Sequence, residues 1–529
     1  MASLPYSDCN LTVGRRATPR PENDLTTEQI LEELAHIGIG HALATHCLAY
    51  EYDPRIGNGR LSEICRNHPP LLPCYVVQPH PTGDMAKGKA LVDYLRDGGA
   101  RAVRLFPRKH NFPLEETVSG ELLTTLEEAE IPVFLDLEQS SLPEVDRMLA
   151  RHPGLHLVLL RVGYRIDQWL YPLLEKFPRL KFDLSLYPVH RGIETVVEHF
   201  GADRMVFGSG LPVFDAGAAV SHIAYANIPD EDRAAIASGN LESILWRETA
   251  PTEKAEPVPP APRDAIWSRA RDGQPLADET VIDPHTHMGP YHNFPIPGDP
   301  WAAGMVSVMD EQGVDSAVTA PMIALEGGMR EGNQIAIDAA RDFPGRFFAF
   351  STINPNFPEV EIREELEWCF RHDCFKGIKI HPGTHDTPGN DPRYQPVWEF
   401  ANEHELPILI HTWGTDPRCN PAMFEPIARD FPGAKLILGH SGATPSGIDE
   451  AIGVCQSVNN TYLDLTKSII YRGMLEYMVR EVGPDRILWG TDLPFICGAG
   501  QMGRVAAARL SLEDKRKILG LNAKALFRL

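Results

Sequence analysis

Two stretches of this chain carry the same landmarks in the same order. Gly57-Asn58 returns as Gly332-Asn333, Gln78-Pro79 as Asn354-Pro355, and Ile131-Pro132-Val133 as Leu406-Pro407-Ile408. Phe182-Asp183-Leu184-Ser185 returns as Leu463-Asp464-Leu465-Thr466, and Asn240 as Asn522. The separations are 275, 276, 275, 281 and 282 residues. An offset this constant over a whole domain marks an internal duplication, so both halves share one fold. The length of 529 residues agrees, because single cores stop growing at about 250–300 residues. Between the copies, residues 248–278 hold Pro251, Pro257, Pro259, Pro260 and Pro262 among Glu, Ala and Lys, the composition of an extended linker. This predicts domains over residues 1–247 and 279–529.

Each half reads as eight short apolar runs separated by stretches with helical spacing. In the second half the runs fall near 281–285, 316–320, 347–353, 377–380, 407–410, 435–439, 461–464 and 487–490. In the first they fall near 9–13, 42–47, 71–77, 102–106, 132–135, 156–160, 180–184 and 205–208. Segments such as Val360 to Arg371 and Ile470 to Val482 supply the helices between. Strand alternating with helix implies a parallel sheet, and eight such units imply closure. The expected class is α/β, with two tandem (β/α)8 TIM barrels.

In such a barrel the C-terminal strand ends converge on one face. There the second half collects His285 and His287, Lys379 and His381, His411, His440 and Asp492. Residues i and i+2 of a strand share a face, so His285 and His287 aim two imidazoles at one point. Neutral imidazole is the commonest protein ligand for zinc-class metals. Core packing alone does not set imidazoles at strand end after strand end.

The run Asp283-Pro284-His285-Thr286-His287-Met288-Gly289, followed by Lys379-Ile380-His381-Pro382, by LPILIHTWG ending at Gly414, by LILGHSG ending at Gly442 and by WGTDLPF ending at Phe495, resembles the amidohydrolase superfamily. The likeness is to the amidohydrolase-related branch that includes aminocarboxymuconate-semialdehyde decarboxylase, lactonases and hydratases. It implies one divalent metal ion, zinc or alternatively manganese, held by His285, His287, His411 and Asp492. It implies that His440 orients the attacking water or the substrate. A catalytic zinc with open coordination activates water at neutral pH, and Asp492 is the candidate general base. The leading expectation is a hydrolase of an amide, lactone or ester in a small carboxylated metabolite. The alternatives are a metal-dependent non-oxidative decarboxylase and a catalytically inactive paired-barrel binding protein. Lys379, His381 and Trp413 are candidate substrate contacts. A carbamylated Lys379 bridging two metals is the binuclear alternative.

The first half has lost these residues. Asn10 and Thr12 stand for His285 and His287, Arg104 and Phe106 for Lys379 and His381, Asp136 for His411, Arg161 for His440, and Gly210 for Asp492. A degenerate barrel without a metal site is expected there. Its two arginines suit either an anion or a salt-bridge network with Asp136.

A net charge of −22 argues against nucleic acid and anionic membranes as partners. Nine scattered cysteines without a CxxC fit a reducing compartment. With no signal-peptide pattern and no apolar run of membrane length, a cytoplasmic location is expected. The expected partner is a small-molecule substrate. The N-terminal barrel is expected to pack on the C-terminal one as a permanent neighbour, with a homo-oligomer left open.

Overall fold

The computed structural model describes residues 4–246, 255–293 and 295–529. The chain divides into two compact units with the boundary at Arg263/Asp264. Each unit holds one sheet of eight parallel strands in sequential order. In the first unit these are β1 (Tyr6–Val13), β2 (Ile39–His46), β3 (Leu71–Val76), β4 (Ala102–Leu105), β5 (Val133–Asp136), β6 (Leu157–Leu160), β7 (Leu180–Asp183) and β8 (Met205–Val206). In the second they are β9 (Ile282–Met288), β10 (Ser316–Pro321), β11 (Phe347–Thr352), β12 (Phe375–Ile380), β13 (Pro407–His411), β14 (Lys435–Gly439), β15 (Thr461–Asp464) and β16 (Ile487–Leu488). Hydrogen bonds draw the first and last strands together. Cys9 N–H donates to Phe207 O at 3.0 Å and Thr12 N–H to Leu211 O at 2.9 Å. Asp492 N–H donates to His285 O at 2.9 Å, and the Trp489 indole to Ile282 O at 2.6 Å. The chain is therefore two tandem TIM barrels. All sixteen strands fall on the apolar runs that the sequence marks.

The duplicated landmarks are polar groups that fasten the barrel. Asn58 Nδ2 donates to Val76 O at 2.8 Å while its Oδ1 accepts from Val76 N–H at 2.9 Å. Asn333 does the same to Thr352, at 3.2 and 2.9 Å. Each amide side chain thus satisfies backbone groups that would be costly to bury unpaired. Asn240 Nδ2 donates to Ala202 O and Met205 O, both at 2.8 Å. Asn522 Nδ2 donates to Pro484 O and Ile487 O, also at 2.8 Å. These two asparagines begin the closing helices Asn240–Leu245 and Asn522–Phe527. Each helix packs on one end of its barrel core: Leu241 and Leu245 join Phe134 and Val158, and Phe527 joins Phe350, Leu409 and Ile437. Full burial of each such side chain contributes about 1.5–3 kcal/mol.

Residues 248–254 of the proline-rich segment lie outside the described residues. Residues 255–264 have no regular structure, and a helix, Ala265–Arg271, follows. Asp264 caps that helix by accepting from Trp267 N–H at 2.9 Å, and the Trp267 indole is fully buried. Among the described residues no helix is long and apolar enough to cross a membrane.

Candidate metal centre

The strand-end residues of the second barrel meet at one mouth. His285 Nε2 lies 3.7 Å and His287 Nε2 3.2 Å from Asp492 Oδ1. Asp492 reaches them from a left-handed backbone, φ 66°, a conformation that Asp tolerates better than most residues. The far side of each imidazole is fastened. His285 Nδ1 donates to Asp464 Oδ2 at 2.7 Å, and His287 Nδ1 donates to Ala320 O at 2.9 Å. A carboxylate and a carbonyl only accept, so both rings carry their proton on Nδ1 and turn the Nε2 lone pair inward. Burial pushes the His285 pKa well below its ordinary value, and the Lys379 charge adds to this. Burial alone would raise the Asp492 pKa; when the imidazoles of His287, His285 and His440 are protonated their donor and charge outweigh it and hold the group well below the usual carboxylate range, and a bound cation would take that place. Two neutral imidazoles with oriented lone pairs, plus one ionised carboxylate, fit a divalent cation.

A second trio, His285, His440 and Asp464, is equally close, with ligand atoms within 4.8 Å of one another. Asp464 is already committed, however. Its Oδ2 accepts from His285 Nδ1 and, at 2.9 Å, from His440 N–H. Its Oδ1 accepts from the Thr466 hydroxyl at 2.7 Å and the Thr466 N–H at 3.1 Å. With four donors on two oxygens it acts as a brace that orients His285.

Lys379 is fully buried, with Nζ 3.2 Å from His285 Nε2. Burial lowers its pKa to about 8 against the pull of Asp492 and Asp464. His440 Nδ1 donates to Thr466 O at 2.7 Å, and His411 Nδ1 stands 3.0 Å from His440 Nε2. The His411 ring is stacked on His381, with centroids 3.8 Å apart and planes at 14°, and runs parallel to Trp413 at 6.1 Å. Among the described residues His411 falls in neither close trio; its Nδ1 meets His440 and its ring stacks on His381, which leaves its Nε2 unengaged. His381 Nδ1 accepts from Thr384 N–H at 3.1 Å.

The amidohydrolase family profile matches residues 13–242 and 282–529. The chain belongs to the amidohydrolase family. Among curated proteins it is similar to gamma-resorcylate decarboxylase of Polaromonas sp., 24% identical over 284 residues that cover 42% of this chain and 86% of that protein. The enzyme of the same name from Rhizobium sp. is 22% identical over 303 residues, 44% of this chain and 92% of that one. Among solved structures it is similar to 5-carboxyvanillate decarboxylase from Sphingomonas paucimobilis (TM-score 0.40, 17% identity, 47% of this chain and 99% of that chain). It is also similar to 2,6-dihydroxybenzoate decarboxylase from Rhizobium (TM-score 0.37, 18% identity, 47% and 99%).

The two amidohydrolase halves keep the same braces and differ in what the braces hold. Asp283 accepts from the N–H groups of His285 (3.1 Å) and Thr491 (3.2 Å) and from the Thr491 hydroxyl. Asp8 accepts from Asn10 N–H (2.8 Å), Ser209 N–H (2.9 Å) and the Ser209 hydroxyl. Asp183 accepts from Asn10 Nδ2 at 3.1 Å, where Asp464 accepts from His285. Gly210, φ 68°, repeats the backbone of Asp492 without its carboxylate. Arg104 and Arg161 converge on Asp136, so the network reading of these charges is realised. Among the described residues, trios of metal-ligating side chains occur in the second barrel alone. Sequence reasoning gave Asp464 and Asp283 no role. The available signal was their retention, as Asp183 and Asp8, in the half that has lost every ligand.

Proposed function

We propose that the C-terminal barrel carries out a metal-dependent, non-oxidative decarboxylation of a small aromatic or β-keto carboxylic acid. The observation that carries this reading is the inward-facing His285/His287/Asp492 cluster of an amidohydrolase whose curated relatives are decarboxylases. Hydrolysis of a lactone, amide or ester uses the same ligands, but the curated relatives named above are decarboxylases. His285, His287 and Asp492 would hold a divalent ion of the zinc or manganese class, which supplies a fixed positive charge to the bound acid.

The remaining residues do the positioning and the proton handling. Lys379, buried and cationic, draws a substrate carboxylate into the mouth. His381, His411 and Trp413 present flat faces against which a planar acid stacks. When the carbon–carbon bond breaks, CO2 leaves with the carboxylate oxygens and the carbon takes up a proton. Thr466 O fixes the His440 tautomer, so His440 and His411 hold one proton between Nε2 and Nδ1, 3.0 Å apart. That pair is the proton reservoir of this mouth.

The test is CO2 release from 2,6-dihydroxybenzoate, 5-carboxyvanillate and a panel of β-keto acids, alongside hydrolysis of lactones and amides. CO2 release that disappears in His285→Ala and Asp492→Asn supports the proposal. Lactone or amide turnover without CO2 from any acid sinks it in favour of hydrolysis.

A further inference from the structure

The mouth of the N-terminal barrel is open where the metal site of its twin lies. A cavity of about 80 Å³, open to solvent, is lined there by Arg104, Arg161, Tyr50, Phe106, Val213 and Phe214, among others.

Two guanidiniums meet at one buried carboxylate in this cavity. Arg104 is 5% exposed and Asp136 fully buried. Arg104 donates through Nε and Nη2 to both oxygens of Asp136, at 2.7–2.9 Å. Arg161 donates to the same carboxylate through Nε. One buried carboxylate therefore serves two guanidiniums. The second acid, Glu138, meets Arg161 Nη2 at 2.6 Å but is 57% exposed and solvent-screened. Among the described residues, Nη1 of Arg104 and Nη1 of Arg161 have no hydrogen-bond partner. Guanidinium groups match carboxylates in pairs of parallel hydrogen bonds. The walls around them are aromatic: the Phe106 ring lies 4.5 Å from that of Tyr50 and 5.2 Å from the Arg104 guanidinium carbon.

We propose that this cavity is a binding site for a small carboxylate with a flat apolar body, separate from the metal centre. The metal-ligating histidines of the twin barrel are absent here, and Arg104 and Arg161 offer guanidinium donors in their stead. The carboxylate meets the free Nη1 groups, and its apolar body lies among Tyr50, Phe106 and Phe214. Glu138 competes for Arg161.

Isothermal titration of the full chain with benzoate tests this, with acetate and inorganic phosphate as comparison probes. The expected result is a benzoate site that persists in His285→Ala, which removes the metal centre. Arg161→Met weakens that site at least about tenfold. Glu138→Gln, at an exposed position, tightens it about threefold by removing the competing carboxylate. Val213→Trp blocks it without altering any charge. The proposal is overturned if benzoate does not bind at millimolar concentration. It is equally overturned if binding is lost in His285→Ala, or is indifferent to both Glu138→Gln and Val213→Trp. Phosphate binding at this cavity without carboxylate binding refutes the ligand class.

Discussion

Asp464→Asn isolates the contribution of the brace beneath the proposed metal ligands. The carboxylate receives four hydrogen bonds, from His285 Nδ1, His440 N–H, and the N–H and hydroxyl of Thr466. Asparagine keeps one acceptor oxygen and introduces an NH2. Whichever way the amide turns, the NH2 faces a backbone N–H, at His440 or at Thr466. His285 either loses its partner or keeps one that is neutral and weaker. Its Nε2 lone pair then loses direction and basicity. Changes of this kind beside a metal-binding histidine lower metal affinity about 10–100-fold, equivalent to about 1.4–2.7 kcal/mol. The assay is competitive titration of zinc or manganese against a chelator of known affinity. The duplication supplies the control. Asp183→Asn makes the same change under Asn10 and Arg161, where there is no imidazole. Both variants should lose similar stability, about 1–3 kcal/mol for disturbed buried hydrogen bonds. Metal affinity should fall in Asp464→Asn alone. The reasoning is refuted if Asp464→Asn binds metal as tightly as the parent, or if Asp183→Asn weakens binding equally.

Three further outcomes are expected. Burial lifts the Asp183 pKa to about 6 against its hydrogen bonds, so between its unfolded value near 4 and pH 6 the folded chain binds the extra proton. Stability from this group is therefore full below about pH 4 and lost as pH rises to 6, by up to about 3 kcal/mol. Urea unfolding across that range should show the slope in the parent and its absence in Asp183→Asn. Asp136→Ala leaves buried Arg104 and half-buried Arg161 without their shared carboxylate, and urea unfolding should report a loss of about 3–5 kcal/mol. A loss under 1 kcal/mol would mean that solvent already screens the triad. Lys379→Met removes the ammonium facing His285 Nε2. Metal binding should tighten about tenfold, while KM for an acid substrate rises; unchanged KM would separate Lys379 from substrate binding.

The duplication, the two barrels, the position of all sixteen strands and the loss of ligands in the first half were legible in the sequence. These features rest on periodicity and on local residue type, which a linear string records directly. The convergence of His285, His287 and Asp492 was also legible, because strand ends of a parallel barrel meet on one face. The roles of Asp464 and Asp283 were not. A carboxylate at a strand end reads the same whether it holds a metal or a histidine, and only its distances to donors separate the two. His411 shows the same limit: its strand-end position was legible, and its contacts to His440 and His381 arise from neighbouring strands. Arg104, Asp136 and Arg161 come from β4, the end of β5 and the residue after β6, and register alone set two guanidiniums on one buried carboxylate. Sequence determined which chemical groups arrive at each barrel mouth. Tertiary structure decided which of them pair with one another, because hydrogen bonding between strands depends on distances that no local pattern encodes.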